Sequence, residues 1–283
     1  MSLDLSTVGH TTEPFAFEYD WKTVVLYALG VGATRDELDF LYEGRGPRVL
    51  PTFAVVPSYA PVAALFATTR CDMTKLVHGS QFIRLHRAIP PEARLDTVGT
   101  VKGIYDMKKL AQVVLSTRTT LKGELCFESE WSLLVRDAGG FGGERPPKSE
   151  APRIPERDPD FTLETKTAPE QALLYRLSGD LNPLHADPAF ATAAGFADGP
   201  ILHGLCTYGI VGRALIQGAC GGDERRLTAF GAQFRRPVWP GETLRTTGYV
   251  LESGRVALEA FAGDKPDPVI TTAWADIAPI RGA

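Results

Sequence analysis

Apolar and polar residues alternate with a period of two along four stretches in the first half of the chain and four in the second, and that alternation predicts strands. The first set runs Phe82 to Ala88, Arg94 to Asp106, Leu110 to Thr119 and Leu121 to Val135. The second runs Leu227 to Arg236, Glu242 to Leu251, Val256 to Ala262 and Val269 to Ala278. β-Branched residues are frequent in both sets, and short turn pairs such as Pro240-Gly241 and Ser253-Gly254 separate neighbouring runs, so the strands should meander antiparallel. A helical or loop region and an apolar segment precede each set: Val55 to Thr68 in the first half, Leu205 to Gln217 in the second. Helix first and meander afterwards implies an α+β layer fold.

The two halves share a register. Tyr27-Ala-Leu stands 148 positions before Tyr175-Arg-Leu, Leu50-Pro51 stands 149 before Gly199-Pro200, Gln81-Phe82 stands 152 before Gln233-Phe234, and Trp131 stands 143 before Trp274. Between the halves, Asp137 to about Asp160 is Gly-rich and then Pro-rich and charged, a composition that holds no regular element and marks a linker. The expected division is a first repeat over 1–140, a linker over 141–160 and a second repeat over 161–283. Pro57 and Pro61 fall inside the first half's central apolar segment, where proline removes a helical hydrogen bond and crowds the preceding turn. That helix should be shortened or irregular, leaving room beside it.

Composition narrows the partners. With 30 basic and 34 acidic residues the formal net charge is -4, and no broad basic field exists to hold nucleic acid or an anionic membrane. No uninterrupted apolar run reaches the length of a membrane span, and Met1-Ser2-Leu3-Asp4 does not open a secretory leader, so a soluble, cytoplasmic protein is expected. The ending Pro279-Ile280-Arg281-Gly282-Ala283 is not a peroxisomal address of the Ser-Lys-Leu type. Cys71, Cys126, Cys206 and Cys220 are far apart and show no C-x-x-C spacing, which suggests reduced thiols and neither zinc nor a disulfide framework.

The candidate chemistry lies in Tyr175 to Asp187, which reads Y-R-L-S-G-D-L-N-P-L-H-A-D, and in the Pro-Ile-Leu-His-Gly run of Pro200 to Gly204. Asp-x-Asn-Pro joins a side chain that bonds its own backbone to a proline that presets a helical turn, so Asp180 or Asn182 caps a short helix near Pro183. A carboxylate on that turn and an imidazole just beyond it can both reach one water, one taking its proton while the other orients it or returns a proton to product. No metal is required. His203-Gly204 opens the second apolar helix, where unpaired N–H groups favour developing negative charge, such as that of an enolate oxygen.

Asp180, Asn182, Pro183 and His185 with Pro200 to Gly204 resemble the hydratase 2 motif of the MaoC-like (R)-specific 2-enoyl-CoA hydratases. Further runs look like the two-domain members of that family: Tyr27 to Gly32, Leu41 to Gly44, Leu50 to Phe53, Val77 to Gly79, Gly139 to Gly143 and Phe234 to Gly241. The resemblance implies two hot-dog folds, each a sheet wrapping a helix, joined as a pseudo-dimer. It also implies reversible hydration of a trans-2-enoyl-CoA to a (3R)-hydroxyacyl-CoA in fatty acid metabolism, with no cofactor beyond the coenzyme A of the substrate and with two chains associating. The Gly204 N–H would stabilise the thioester oxygen. Glu43 matches an acid that the family marks as functionally important.

The first half lacks the pair, carrying Gly32, Thr34, Arg35 and Leu38 or its neighbours in its place, so one site per chain is expected. His203 either supports its loop or touches substrate; His78 either lines the pocket or is structural; Asp187 either orients His185 or caps the helix at Pro188. Arg235, Arg236 and Arg84 could pair with coenzyme A phosphates. Tyr27 and Tyr175 should pack the core. Four other readings are a dehydratase acting on carrier-protein-bound 3-hydroxyacyl groups, a hot-dog acyl-CoA thioesterase, a non-catalytic ligand-binding or scaffold subunit, and a metal hydrolase using His185, Asp180 and Asp187, which lacks an established ligand spacing such as H-E-x-x-H.

Overall fold

The computed structural model describes residues 3–72, 75–149 and 151–279. Met1-Ser2 and the last four residues of the Pro279 to Ala283 tail therefore lie outside the described residues. The strands are β1 (Phe15–Tyr19), β2 (Leu76–Leu85), β3 (Ala93–Met107), β4 (Leu110–Leu121), β5 (Glu124–Arg136), β6 (Phe161–Lys166), β7 (Leu227–Phe234), β8 (Thr243–Val250), β9 (Arg255–Ala262) and β10 (Ile270–Ile277). The α-helices are α1 (Trp21–Gly30), α2 (Leu38–Leu41), α3 (Tyr59–Thr69), α4 (Gln171–Tyr175), α5 (Pro188–Ala193) and α6 (Gly204–Ala219).

All ten strands form one sheet in the order β1-β3-β4-β5-β2-β7-β10-β9-β8-β6. Read inwards from either edge, each half has the same strand sequence, as an internal repeat demands. The fold is a double hot-dog of α+β class. Its two expected sheets are continuous, because β2 and β7 pair antiparallel from Ser80↔Gln233 to Arg84↔Ala229. Joining the sheets there removes two edges that would otherwise expose unpaired backbone groups.

Eight of the strands follow the predicted alternation; the outermost two, β1 and β6, fall in regions expected to be helical or looped. Both are short edge strands whose single paired neighbour, β3 or β8, is distant in sequence. The β4–β5 hairpin turns on Lys122 and Gly123, both at positive φ, the two-residue geometry that matches strand twist. Between Arg136 and Phe161 the described residues carry no helix or strand. The Gly-rich start of that stretch is tied down by Asp106, whose carboxylate accepts the N–H groups of Gly140 (2.9 Å) and Gly142 (2.7 Å).

The first half's central helix is indeed interrupted. A 3₁₀ turn over Pro51–Val55 gives way to a bend, and α3 starts only at Tyr59, with Pro61 in its first turn where the missing N–H is no loss. By length and hydropathy Pro51–Thr69 satisfies the criterion for a membrane span, which the sequence reading did not anticipate, yet 61% of it is buried in the protein core. Helix α6 is buried on every side from Leu205 to Ile216. The first half presses directly on it: a Cβ at Gly209 would lie 2.4 Å from Val31 Cγ1, and one at Gly212 would lie 2.7 Å from Thr52 Cγ2. Only glycine permits that approach.

Candidate active site

The motif loop is built by its own polar groups. A 3₁₀ turn over Arg176–Ser178 ends at Gly179, whose φ of 125° turns the chain sharply. Asp180 Oδ1 then accepts the Asn182 N–H (3.2 Å) and Asn182 Oδ1 accepts the Leu184 N–H (3.0 Å), capping a 3₁₀ turn over Pro183–His185. The expected short helix is thus a single 3₁₀ turn capped by Asn182. Asp187 caps α5, accepting from Ala189 and Phe190, and does not orient His185. A backbone carbonyl does that work: His185 Nδ1 lies 2.8 Å from Ile201 O. A carbonyl only accepts, so Nδ1 carries the proton and the Nε2 lone pair is left free to act as a base.

His203 is almost wholly buried, and its Nε2–H donates to the backbone oxygen of Asp180 at 3.1 Å. It therefore supports the motif loop. Its ring stacks on His185 with centroids 3.7 Å apart and planes 28° apart. Ligand-type atoms of Asp180, His185 and His203 all lie within 4.8 Å of one another. This cluster brings the acid and imidazole pair together as the motif requires. Each ring already gives one nitrogen to a backbone carbonyl, His185 Nδ1 to Ile201 and His203 Nε2 to Asp180, so only the other nitrogen of each is left to face water or an ion.

Burial lowers the pKa of both imidazoles. For His185 the Asp180 charge and the Ile201 carbonyl act in the opposite direction and are outweighed; for His203 the nearby His185 adds to the lowering. Both rings are neutral at neutral pH, the state in which His185 can accept a proton.

Gly204, the first residue of α6, follows His203 and has no protein acceptor for its N–H among the described residues. Beside it stands Phe234, whose ring atoms are 3.5 Å from a Cβ built on Gly204. From Phe234 a row of rings leads back to the motif loop: His78 lies edge-on to Phe234 (4.9 Å), stacks on Trp131 (5.1 Å, 4°), and Trp131 meets Tyr59 edge-on (5.4 Å). Tyr59 in turn packs on the loop, its Cδ2 3.1 Å from a Cβ built on Gly179. The rings between Asp180 and Gly204 thus come largely from the half that lacks the motif.

His78 is part of this wall, bonded to Ser80 O at 3.0 Å, and burial lowers its pKa to about 4. Tyr59, Trp131 and Ile201 were not expected at the site. Trp131 was visible only as a repeat marker, Tyr59 carried no motif signal, and Ile201 lies inside the Pro200 to Gly204 run without its carbonyl having been singled out.

Other candidates lie elsewhere. Glu43 is exposed on a 3₁₀ turn, Glu43–Arg45, and is not part of the Asp180 cluster. Arg235 and Arg236 are exposed just beyond Phe234; Arg235 Nε donates to Thr271 Oγ1 (3.0 Å) and Arg236 pairs with Asp267 (2.7 Å). Arg84 sits over the Phe82 ring. Tyr27 and Tyr175 are core residues, as expected. In the first half Glu37, 148 positions before His185, forms a buried ion pair with Arg213 on α6, so the equivalent loop is occupied by a structural contact.

Comparison with known proteins agrees across the whole chain. Residues 17–137 match the family model for the MFE-2 hydratase 2 N-terminal domain, and residues 150–272 match that for the MaoC like domain. The chain is 45% identical over 263 residues to 3-hydroxyacyl-thioester dehydratase Y of Mycobacterium tuberculosis, covering 90% of each protein. It is 36% identical to the peroxisomal enoyl-CoA hydratase 2 of Arabidopsis thaliana, covering 93% of this chain and 92% of that one. Among solved structures, a MaoC-like dehydratase from Phytophthora capsici superposes with a TM-score of 0.90 at 28% identity over 99% of both chains.

Proposed function

The chain belongs to the MaoC-like, hydratase 2 family of lyases, and from the geometry of its site we propose that it hydrates trans-2-enoyl-CoA reversibly to (3R)-hydroxyacyl-CoA. One observation carries this reading: the Asp180 carboxylate and a His185 whose Nε2 is free lie within 4.8 Å of each other, beside a helix N-terminus with an unused N–H. A water held by the pair loses a proton to it, its oxygen bonds to C3, and the C2–C3 π electrons move onto the thioester as an enolate. The Gly204 N–H receives that negative charge, a contribution worth about 100- to 1000-fold in rate for one such donor. The proton then returns to C2 from the same face, leaving the pair as it began. No cofactor is consumed. The handedness of the product rests on the family resemblance.

Several features support a coenzyme A thioester. The aromatic wall from Tyr59 to Phe234 is apolar enough for an acyl group, and Arg235 at its outer end is exposed and free to meet a phosphate. The name of the 45%-identical relative describes the same reaction in reverse, so dehydration of a 3-hydroxyacyl thioester is the second reading. Incubation with crotonyl-CoA and a long trans-2-enoyl-CoA, following loss of the conjugated absorbance and resolving product enantiomers, tests the proposal. Release of free thiol without hydration would instead indicate a thioesterase, and turnover of carrier-protein thioesters alone would indicate the carrier-bound dehydratase.

A further inference from the structure

We propose that His203 is a positioning residue that acts through His185: its neutral ring presents a π face to the catalytic imidazole and steadies the positive charge His185 carries once Nε2 has taken the proton of the water. The inference rests on the hydratase reading above.

Three observations carry it. First, the two rings are in direct contact. Their centroids are 3.7 Å apart and their planes 28° apart, and the residues are only 8% and 1% exposed, so no layer of solvent screens one from the other. A cation within about 6 Å of the face of an aromatic ring is attracted to it, most strongly where water is excluded. Neutral imidazole is such a ring.

Second, neither ring is free to turn away. His185 Nδ1–H donates to Ile201 O (2.8 Å) and His203 Nε2–H donates to Asp180 O (3.1 Å), so each is pinned by a backbone carbonyl. His203 also packs on the Tyr175 ring, with centroids 4.9 Å apart. The stack therefore persists when His185 changes its charge.

Third, His203 stays neutral for a structural reason. Its Nδ1 is buried and has no protein partner among the described residues. A proton there would place an unpaired N–H and a full charge in the core, against His185 and near Arg176. When His185 becomes an imidazolium, the ring stacked on it thus offers a π face and not a second charge.

The titratable groups around the stack come from four elements. Asp180, on the motif loop, favours a charged His185, as does the Ile201 carbonyl, and burial opposes both. Arg176, on the preceding 3₁₀ turn, directs Nη2 at Leu181 O. The phenols of Tyr59 on α3 and Tyr175 on α4 and the thiol of Cys206 on α6 are kept protonated by burial.

Two substitutions separate the ring from the hydrogen bond. His203→Gln keeps an N–H near the position of Nε2 and deletes the π face; His203→Phe keeps the face and deletes the bond to Asp180. The experiment is a nitrogen-15 NMR titration of histidine-labelled wild type and both variants, assigned with His185→Gln, together with crotonyl-CoA kinetics across pH. In His203→Gln the His185 titration and the acid limb of kcat/KM should both move down by roughly half to one pH unit, with kcat roughly three- to tenfold lower. In His203→Phe the titration should stay at its wild-type position, even though kcat falls as the loop loosens. A His203→Gln protein whose His185 titrates at or above the wild-type pH, or a His203→Phe protein shifted as far down as the Gln variant, overturns the inference. The titration reads the stack without turnover, so a wild-type chain that hydrates neither crotonyl-CoA nor the long enoyl-CoA overturns the hydratase reading instead.

Discussion

His185 and His203 stack face to face with their ring centroids 3.7 Å apart, and each donates a ring N–H to a backbone carbonyl on the other's segment: His185 to Ile201, His203 to Asp180. This reciprocal exchange closes the motif loop onto the start of α6 and sets both tautomers. It leaves His185 Nε2 and the Asp180 carboxylate as the groups available to a water.

Asp180→Asn and His185→Gln should each lower kcat/KM by about 100- to 10,000-fold, the range for losing a positioned acid or base. Both variants should keep the circular dichroism of the wild type; Asp180→Asn should also match it in thermal melting, whereas His185→Gln, which loses the stack on His203 and the bond to Ile201, should melt somewhat lower. A variant with near-parental turnover removes its residue from the mechanism.

Replacing Gly204 by Pro deletes one N–H with little else. The site is the first turn of α6, where proline is tolerated, and His203 before it has φ -59° and ψ 137°, the extended conformation that a residue preceding proline prefers. The expected outcome is a folded protein with kcat down about 100- to 1000-fold and little change in substrate affinity. Stopped-flow binding combined with single-turnover kinetics separates the two effects.

The buried histidines predict a pH dependence of stability. His78 is lowered to about 4 and His203 lower still, both by burial, whereas in the unfolded chain an imidazole titrates near its ordinary value. The unfolded state therefore binds the extra protons on acidification. The stabilisation is complete above that ordinary value and is lost as pH falls from it towards the folded-state pKa of each ring. From pH 7 to pH 5 the loss should be about 2 kcal/mol per ring. Urea unfolding at the two pH values measures it, and His203→Gln should reduce the difference by one such step.

The ion pair of Glu37 and Arg213 clamps the first half to α6, with side chains 15% and 6% exposed and Gln217 donating to the same carboxylate at 3.1 Å. Removing one partner strands a buried charge, so Glu37→Ala or Arg213→Ala should cost about 3–5 kcal/mol. Glu37→Leu combined with Arg213→Met should recover most of that loss in chemical denaturation. An additive double variant would show that the two residues act separately.

Much of this architecture is legible in local patterns. Alternation along β3, β4 and β9 marks strands because each packs one face on the core, and Asn182-Pro183 announces its capped turn because the interactions span only two or three residues. Edge strands β1 and β6 were missed because their pairing partners lie far along the chain.

The sequence by itself determined the repeat, the strand meander and the candidacy of Asp180, His185 and Gly204, since all of these rest on periodicity or on a short motif. Tertiary structure alone decided that Ile201 rather than Asp187 holds His185, that His203 grips the Asp180 carbonyl, and that the exposed Glu43 stays outside the cluster. It also placed Tyr59, Trp131 and His78 from one half against a motif carried by the other. Such contacts join positions far apart in the chain through one hydrophobic core shared by both halves, and no local pattern of the chain encodes which rings will meet.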